Sequence, residues 1–258
     1  MSTPTTVAGR RVQARPAGAL ELWCVDTRAS GPALHALEQN VPLLSDWERR
    51  HAAGIADAAR AEEWLAAHVA LRVVMERVLG TAARGVTFAR AGFGKPRLEG
   101  APVAFSLSHV SGLALIALSR NGIVGVDLER ARAVRVREPR RARIEAAAAA
   151  LDPGEPLPAG GDARFLQAWV RLEAFAKAEG CGVGRLLTRL GIGGDRAGRE
   201  ESFRARVEGV LAATQVAATY DVALGEQLFA AVACGPARAT PEVFRLPAGK
   251  SALQELLA

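Results

Sequence analysis

The sequence has very little lysine. Its 33 basic residues include only Lys95, Lys177 and Lys250, so the other 30 are arginine. In a chain that uses arginine almost everywhere, the positions of the few lysines are informative, because the two side chains present their charge differently: lysine as a compact ammonium and arginine as a planar fork. Two of the three lysines fall in the motifs described below.

Cysteine is equally scarce. Cys24, Cys181 and Cys234 are widely separated and form no CxxC or Cys/His metal pattern. An odd and scattered set of this kind excludes a disulfide framework and a zinc site of ordinary spacing. It suits a reducing interior, so we expect a cytoplasmic protein.

Long apolar runs are also missing. No stretch approaches the roughly 18 apolar residues that a membrane-spanning helix requires. The first 18 residues, MSTPTTVAGRRVQARPAG, are polar and basic and lack the apolar segment of a secretory signal. We therefore expect residues 1–18 to form a flexible tail, and we expect no membrane partner.

Aromatic residues are few, and this bears on the strong positive charge. The net charge is +6 and the pI is about 10.0, which favours acidic partners such as nucleic acids, phosphates or an acidic protein. Seven arginines lie within residues 130–143, but no aromatic residue stands among them. Because single-stranded nucleic acids are bound by interleaved basic and aromatic side chains, we expect no nucleic-acid partner.

Half of the residues are apolar, which is enough for a substantial core. Helical and alternating patterns occur in the order helix then strands, twice, which predicts an α+β fold with two halves of similar content, 19–121 and 122–258. Helices are predicted at 44–55, 59–80, 142–151 and 163–180. Strands are predicted at 21–25, 86–90, 103–107, 113–118, 123–128, 202–209, 214–220 and 228–234.

The segment IVGVDLER, residues 123–130, is a buried-strand pattern that ends on two acids. Asp127 and Glu129 are two residues apart, so a strand turns both carboxylates to one face. Two such acids repel unless a positive charge lies between them, and hard oxygen ligands of this kind suit Mg²⁺. The alternative is a pair of solvated acids at a strand end, neutralised by Arg130.

The predicted helix at 163–180 places Trp169, Glu173 and Lys177 on one face, since they are separated by successive steps of four residues. One interpretation is a surface Glu–Lys ion pair beside a half-buried tryptophan. The other is functional: Glu173 completes a carboxylate cluster, and Lys177 lies one turn away, facing a phosphate.

Two further motifs lie upstream. GFGKP (92–96) places Lys95 on a glycine turn whose amides could face an anion, although it lacks the spacing of a Walker A loop. FSLSHVSG (105–112) ends a strand on Ser108 and His109. The chain has no GxSxG elbow, which excludes a serine hydrolase of the α/β-hydrolase type. A structural role for this serine and histidine is the alternative.

In this order, GKP, FSLSH, VGVDLE and WVRLEAFAKAEG resemble the signature motifs of the 4′-phosphopantetheinyl transferases, and the chain length is similar to that of the Sfp type. The resemblance covers roughly residues 92–180. It implies a pseudo-twofold fold of two similar α+β halves, with coenzyme A between them. The implied reaction transfers the phosphopantetheine arm of coenzyme A to a serine of an apo acyl or peptidyl carrier protein and releases 3′,5′-ADP.

The same resemblance implies roles for individual residues. Asp127, Glu129 and Glu173 would hold Mg²⁺, with Mn²⁺ as a substitute. Glu173 would also accept the proton of the incoming serine, directly or through water, and Lys177 would stabilise the leaving phosphate, so that Glu173, Lys177 and Asp127 form the expected catalytic set. The expected contacts of coenzyme A are Arg60, Arg72, Phe93, Gly94, Lys95, Pro96, Ser108, His109 and Lys177.

One position departs from the family pattern. A lysine often precedes the motif glutamate, whereas here Leu172 and Arg171 precede Glu173, so a phosphate contact from that position is not expected. The resemblance further implies a monomer. Because carrier proteins are typically small and acidic, we expect one to dock on the arginines of 130–143; the alternative is that these arginines form a solvated loop. The alternative function is a non-catalytic coenzyme A-binding protein that acts as a scaffold or regulator.

Overall fold

The structure is a computed structural model that describes residues 20–91, 94–152, 154–192 and 200–257. The predicted N-terminal tail and Phe93 lie outside these ranges. The strands are β1 (Leu20–Asp26), β2 (Ala89–Ala91), β3 (Lys95–Arg97), β4 (Ala104–Val110), β5 (Leu113–Ser119), β6 (Val124–Arg130), β7 (Ala218–Asp221), β8 (Leu228–Cys234) and β9 (Pro241–Arg245). The helices are α1 (Thr27–Asn40), α2 (Asp46–Ala53), α3 (Ala58–Leu79), α4 (Glu138–Leu151), α5 (Gly161–Glu179), α6 (Val183–Arg189), α7 (Glu200–Ala213) and α8 (Lys250–Glu255).

The elements form an α+β fold, as the sequence predicts. One sheet has the strand order β4-β5-β1-β9 and a second has the order β6-β8-β7, while β2 and β3 form a small hairpin. The two larger sheets pack face to face through apolar residues such as Leu22, Leu115, Val126 and Val232. Helices cover the outer face of each sheet, so the layers run helix, sheet, sheet, helix.

The long helix α3 covers the outer face of the first sheet. It begins after Asp57, whose carboxylate accepts a hydrogen bond from the backbone N–H of Arg60, and it ends at Gly80, where φ is +65°. The helix predicted at 59–80 is thus confirmed to within one residue at each end, and its boundaries, an acid and a glycine, are usual ones. Val73 and Met75 pack against the sheet in the first core.

Strand β6 shows the alternation that the motif predicts. Val124, Val126 and Leu128 face the first sheet in the core between the two sheets. The intervening residues face the other way, toward α5. A Cβ atom at Gly125 would lie 2.0 Å from the carbonyl oxygen of Ala174. Helix α5 therefore rests directly on the backbone of β6, which only glycine permits.

Small residues extend this contact across the second sheet. Ala174 and Ala178 of α5 pack with Ala231 and Ala233 of β8 in a separate buried cluster. Because the alanine side chains are single methyl groups, helix and sheet approach closely here. The side chains next to these alanines on α5 therefore lie close to β6. These side chains include Glu173 and Lys177.

The predicted strand at 202–209 is wrong, because this segment lies within helix α7. Phe203, Val207 and Val210 are buried in the core beneath α4 and α5, and their spacing of four and three residues is helical. Helix α4 also begins earlier than predicted, at Glu138, so the second half of the arginine-rich segment is helical. Helices α1, α6 and α8 and strand β9 were not predicted.

The C-terminal segment crosses back to the first sheet. Strand β9 pairs in parallel with β1, with Val243 opposite Leu22, and Leu246 and Leu253 belong to the first core. The predicted second half, 122–258, therefore does not correspond to one sheet, because its last strand, β9, belongs to the sheet of the first half. The pseudo-twofold relation between the halves stays a prediction.

No helix in the ranges that the structure describes is long and apolar enough to cross a membrane.

Gly125→Ala is expected to destabilise the protein by about 3 kcal/mol or more, because the added methyl meets backbone atoms that cannot rotate away. The measurement is urea unfolding followed by circular dichroism. The matched control is Gly209→Ala, in helix α7, where a Cβ atom would meet nothing within 4 Å and where alanine favours the helix. Equal stability of the two variants would contradict the close approach of α5.

Candidate functional site

Side chains rather than backbone ladders join β4 of the first sheet to β6 of the second. The hydroxyl oxygen of Ser106 accepts a hydrogen bond from the backbone N–H of Val126 at 3.1 Å. Two residues along β4, the Ser108 hydroxyl donates to Oδ1 of Asp127 at 2.9 Å. The two serines of the FSLSH motif therefore fix the junction between the sheets.

A cleft of about 360 Å³ opens beside this junction. Strands β4 and β6 and helix α5 form its walls, so it gathers residues from three motifs that are far apart in the sequence. Six of the predicted site residues line it: Ser108, His109, Asp127, Glu129, Glu173 and Lys177. Leu107, Val110 and Leu128 complete the lining.

Asp127 is the most deeply placed of the three acids, with only 4% of its surface exposed. The ammonium of Lys177 donates to Oδ1 of Asp127 at 2.7 Å and to the backbone carbonyl of Val126 at 3.0 Å. A solvated acid at a strand end is therefore the wrong interpretation of Asp127. The proposed surface ion pair between Glu173 and Lys177 is also wrong, because Lys177 pairs with Asp127.

Glu173 lies across the cleft from β6 on α5. Burial, the largest cause, and the negative charges of Asp127 and Glu129 together raise the pKa of Glu173 to about 7, against the opposing positive charge of Lys177. The three carboxylates are therefore close enough to repel one another. At neutral pH Glu173 exchanges its proton readily, as a general base must.

Glu129 lies at the outer end of the cleft, where Arg132 pairs with it at 3.3 Å. Arg130 was the predicted partner of these acids, but its guanidinium turns to the first sheet instead. Both of its donating nitrogens bond the backbone carbonyl of Ser111, at 2.7 and 3.1 Å. Arg130 thus holds the turn between β4 and β5 against the end of β6.

The chemistry of the acids suits a hard divalent ion, because carboxylate oxygens are the ligands that Mg²⁺ prefers. Their present geometry is looser: within the described ranges, no three His, Cys, Asp or Glu side chains are gathered into a ready metal-binding group. Asp127 instead pairs with the ammonium group of Lys177. The donor set fits Mg²⁺ by its chemistry, while a full coordination shell requires some rearrangement.

Lys95 lies next to the cleft rather than in its wall. Its ammonium donates to the carbonyl of Val124 at 2.7 Å, and burial lowers its pKa to about 8. Val124 is two residues from the carbonyl that Lys177 bonds, or about 7 Å along the strand. The GKP turn is conformationally specific, since φ of Gly94 is +91° and such values favour glycine. Pro96, in β3, is exposed.

His109 lines the cleft, and Arg60 lies close enough to influence its charge. Both are exposed. Partial desolvation lowers the pKa of His109, and the positive charges of His68, Lys177 and Arg60 add to the effect, while Glu63 opposes it. Several cations therefore surround His109, an arrangement that attracts anions.

The prediction that Arg72 contacts coenzyme A does not agree with the structure. Arg72 is completely buried and pairs with Glu48. Its Nη1 donates to the carbonyl of Ala83 at 2.8 Å, and its Nη2, which also bonds Glu48, donates to the carbonyl of Val86 at 2.7 Å. The guanidinium stacks 3.8 Å from the ring centre of Phe88. With its hydrogen-bonding groups satisfied inside the core, Arg72 ties α3 to α2 and to the following loop.

Glu48 shows how tightly this buried group is held. Burial alone would raise the pKa of Glu48, but hydrogen bonds from His68, Arg72 and Ser45 lower it to about 2. Ser45 and Glu48 also form the capping box of α2, which sets the start of the helix predicted at 44–55. Sequence reasoning could not find the Glu48–Arg72 pair, because its members are 24 residues apart.

Leu172 and Arg171, which depart from the family pattern, are both buried away from the cleft. Leu172 packs in the core under α4 and α7. Arg171 makes a double hydrogen bond to Asp221, with both distances 2.7 Å. The structure thus agrees with the expectation that neither side chain contacts a phosphate.

Sequence reasoning missed Ser106 and Arg130. Ser106 could have been found, since it alternates with Ser108 and therefore belongs to the same face of β4. Arg130 could not, because its partner is a backbone carbonyl of another strand pair.

Comparison with known proteins adds no assignment: no protein-family model and no curated protein matches the sequence.

Glu173→Gln is expected to stabilise the fold at pH 8 and to have little effect near pH 4.5. The folded state holds the Glu173 proton more tightly than the unfolded chain, whose pKa is about 4.5, so stability is lost as the pH rises from about 4.5 to about 7. Glutamine removes this loss, which is on the order of 2 kcal/mol after solvent screening.

The measurement is chemical unfolding at both pH values in the presence of EDTA. Glu208→Gln, an exposed glutamate on helix α7, is the control and should show no comparable pH-dependent gain. A gain of the same size for Glu173→Gln at both pH values would contradict a buried, proton-binding Glu173.

Proposed function

We propose that the protein transfers the 4′-phosphopantetheine arm of coenzyme A to a serine of an apo acyl or peptidyl carrier protein, releasing 3′,5′-ADP. One observation carries the proposal: residues of FSLSH, VGVDLE and the α5 motif line a single cleft, with three acids and a lysine together. The sequence resemblance predicts this set, and neither a structural core nor a simple ion pair needs it.

In the proposed step, the serine oxygen of the carrier protein forms a bond to the phosphorus that bears the pantetheine arm. The bond from this phosphorus to the bridging oxygen of the pyrophosphate breaks, and 3′,5′-ADP leaves with the electron pair. The serine proton passes to Glu173, directly or through water. Without a bound cation the pKa of Glu173 is about 7, and a carboxylate as basic as this can accept such a proton at neutral pH.

The cations of the cleft act on the phosphates. Lys177, one helical turn beyond Glu173, stabilises the negative charge that develops on the leaving phosphate. Arg60 and Lys95 form the more distant positive surroundings that suit the other phosphate groups of coenzyme A, and His109, whose pKa is lowered by burial, would contact them as a neutral hydrogen-bond donor. Arg72 is not included, because it is buried.

Asp127, Glu129 and Glu173 are the residues that would hold Mg²⁺, or Mn²⁺ in its place. The ion would supply positive charge to the pyrophosphate oxygens. Ser108 orients Asp127 through the hydrogen bond to Oδ1. Both functions of Glu173, as ligand and as base, use the same position above β6.

The test is incubation with coenzyme A, Mg²⁺ and a panel of apo carrier proteins, followed by intact-mass measurement of the carriers. We expect one phosphopantetheine adduct on at least one carrier. Glu173→Gln should lower the rate by at least about 100-fold, a typical contribution of a general base, while Glu208→Gln retains activity. Coenzyme A binding without an adduct on any carrier would favour the non-catalytic scaffold instead.

The arginine-rich segment supplies a docking surface for an acidic carrier. Arg135, Arg137 and Arg140 are exposed where the segment enters α4, and the segment follows directly from Glu129 at the outer end of the cleft. Arg141 is less available, since it bonds Asp162 at 2.9 Å. Long-range attraction from this surface would mainly speed the encounter with an acidic partner.

Arg135→Glu is expected to raise the KM for the carrier protein several-fold and to leave the KM for coenzyme A unchanged. The control is Arg238→Glu, which reverses the same charge at another exposed position. Arg238 follows the end of β8 that pairs with Val124, so it lies near the end of β6 opposite to Glu129. Equal increases in the two variants, or an increase for both substrates, would contradict docking at this surface.

A further inference from the structure

The carboxylate of Asp127 accepts hydrogen bonds from two side chains. Its Oδ1 atom accepts hydrogen bonds from Ser108 at 2.9 Å and from Lys177 at 2.7 Å. The same carboxylate is the innermost of the three acids whose chemistry suits a divalent ion. A divalent ion held by these acids would therefore share Asp127 with the ammonium of Lys177.

An ammonium and a divalent ion cannot share one carboxylate oxygen without repulsion. At a separation of a few ångströms in a partly buried site, like charges repel by far more than they do in water. Lys177 is also anchored by the carbonyl of Val126, so leaving Asp127 costs it two hydrogen bonds. Metal binding therefore has to displace the lysine or tolerate its charge.

We infer that Lys177 competes with the divalent ion for Asp127, and that a phosphate-bearing ligand relieves this competition by drawing Lys177 away. The inference rests on the proposed function, from which the ion and the phosphate ligand are taken. The side chain of Lys177 is 31% exposed, so its ammonium borders the cleft where such phosphates would lie. Phosphate oxygens can replace both of the hydrogen bonds that it gives up.

The consequence is an order of binding. The protein alone holds the ion weakly, and the ion and the phosphate-bearing ligand bind with positive cooperativity. Each favours the other, as linkage between two ligands requires. This arrangement keeps Asp127 paired with a cation, because the ammonium leaves it only when a new cation can take its place.

Lys95 provides a matched comparison, because its side chain contacts the same strand, β6. Its ammonium also donates to a β6 carbonyl, that of Val124 at 2.7 Å. Unlike Lys177, it makes no ion pair with Asp127. Among the lysines that the structure describes, only Lys177 pairs with this acid. Removing the charge of Lys95 should therefore leave the competition at Asp127 intact.

The test is titration of Mn²⁺ into the full chain, with the free ion measured by electron paramagnetic resonance. Without nucleotide, Lys177→Met should bind Mn²⁺ at least about tenfold more tightly than the wild type, because the competing charge is gone. Lys177→Gln serves as a second variant should the first not fold. Lys95→Met should match the wild type, and in an Asp127→Asn background the gain from Lys177→Met should disappear.

Addition of saturating coenzyme A should tighten Mn²⁺ binding to the wild type and narrow the difference from Lys177→Met. Equal Mn²⁺ affinity of wild type and both Lys177 variants without nucleotide would overturn the inference, and so would a gain that survives in Asp127→Asn. Undetectable Mn²⁺ binding to every variant, even with coenzyme A, would also overturn it. The titration contains no carrier protein and therefore tests only the competition at Asp127. A failure to transfer phosphopantetheine to any carrier would contradict the proposed function without bearing on this competition.

Discussion

The direct contact of helix α5 with the backbone of β6 at Gly125 is the constraint on which the site depends. The nearest α5 atoms to this glycine are the carbonyl oxygen of Ala174 and the backbone nitrogen of Ala178. Glu173 and Lys177 each precede one of these alanines, so the contact point fixes both side chains above β6. A larger residue on either surface would lift the helix, and the acids of the two elements would no longer share one cleft.

Close packing also brings charges together at a cost. Asp127 is nearly buried, and its charge is balanced by Lys177 and the Ser108 hydroxyl. Among the residues that the structure describes, Glu173 has no such partner, and its raised pKa reflects its burial and the repulsion of the neighbouring acids. The buried carboxylate of Glu48, by contrast, pairs with Arg72. Strongly perturbed carboxylates cluster at functional sites, which is consistent with the proposed role of Glu173.

The two sheets meet at this site without sharing a backbone ladder. Ser106 and Ser108 link β4 to β6 through their hydroxyl groups, and Arg130 holds the turn after β4. The return of β9 to the first sheet adds a second connection, because the chain of the second half ends in the first core. The walls of the cleft therefore come from both halves, which suits a ligand that lies between them.

Local pattern in the sequence determined the α+β class, the alternation along β6, the caps of α2 and α3 and the shared face of Glu173 and Lys177, because these depend on neighbours within a few residues. Only the tertiary structure decided that Lys177 pairs with Asp127, 50 residues away, that Arg72 belongs to the core and that β9 completes the first sheet. The period of a pattern shows which way a side chain points. Its partner depends on how distant elements pack, and for this cleft that packing is set by the fit of α5 against Gly125.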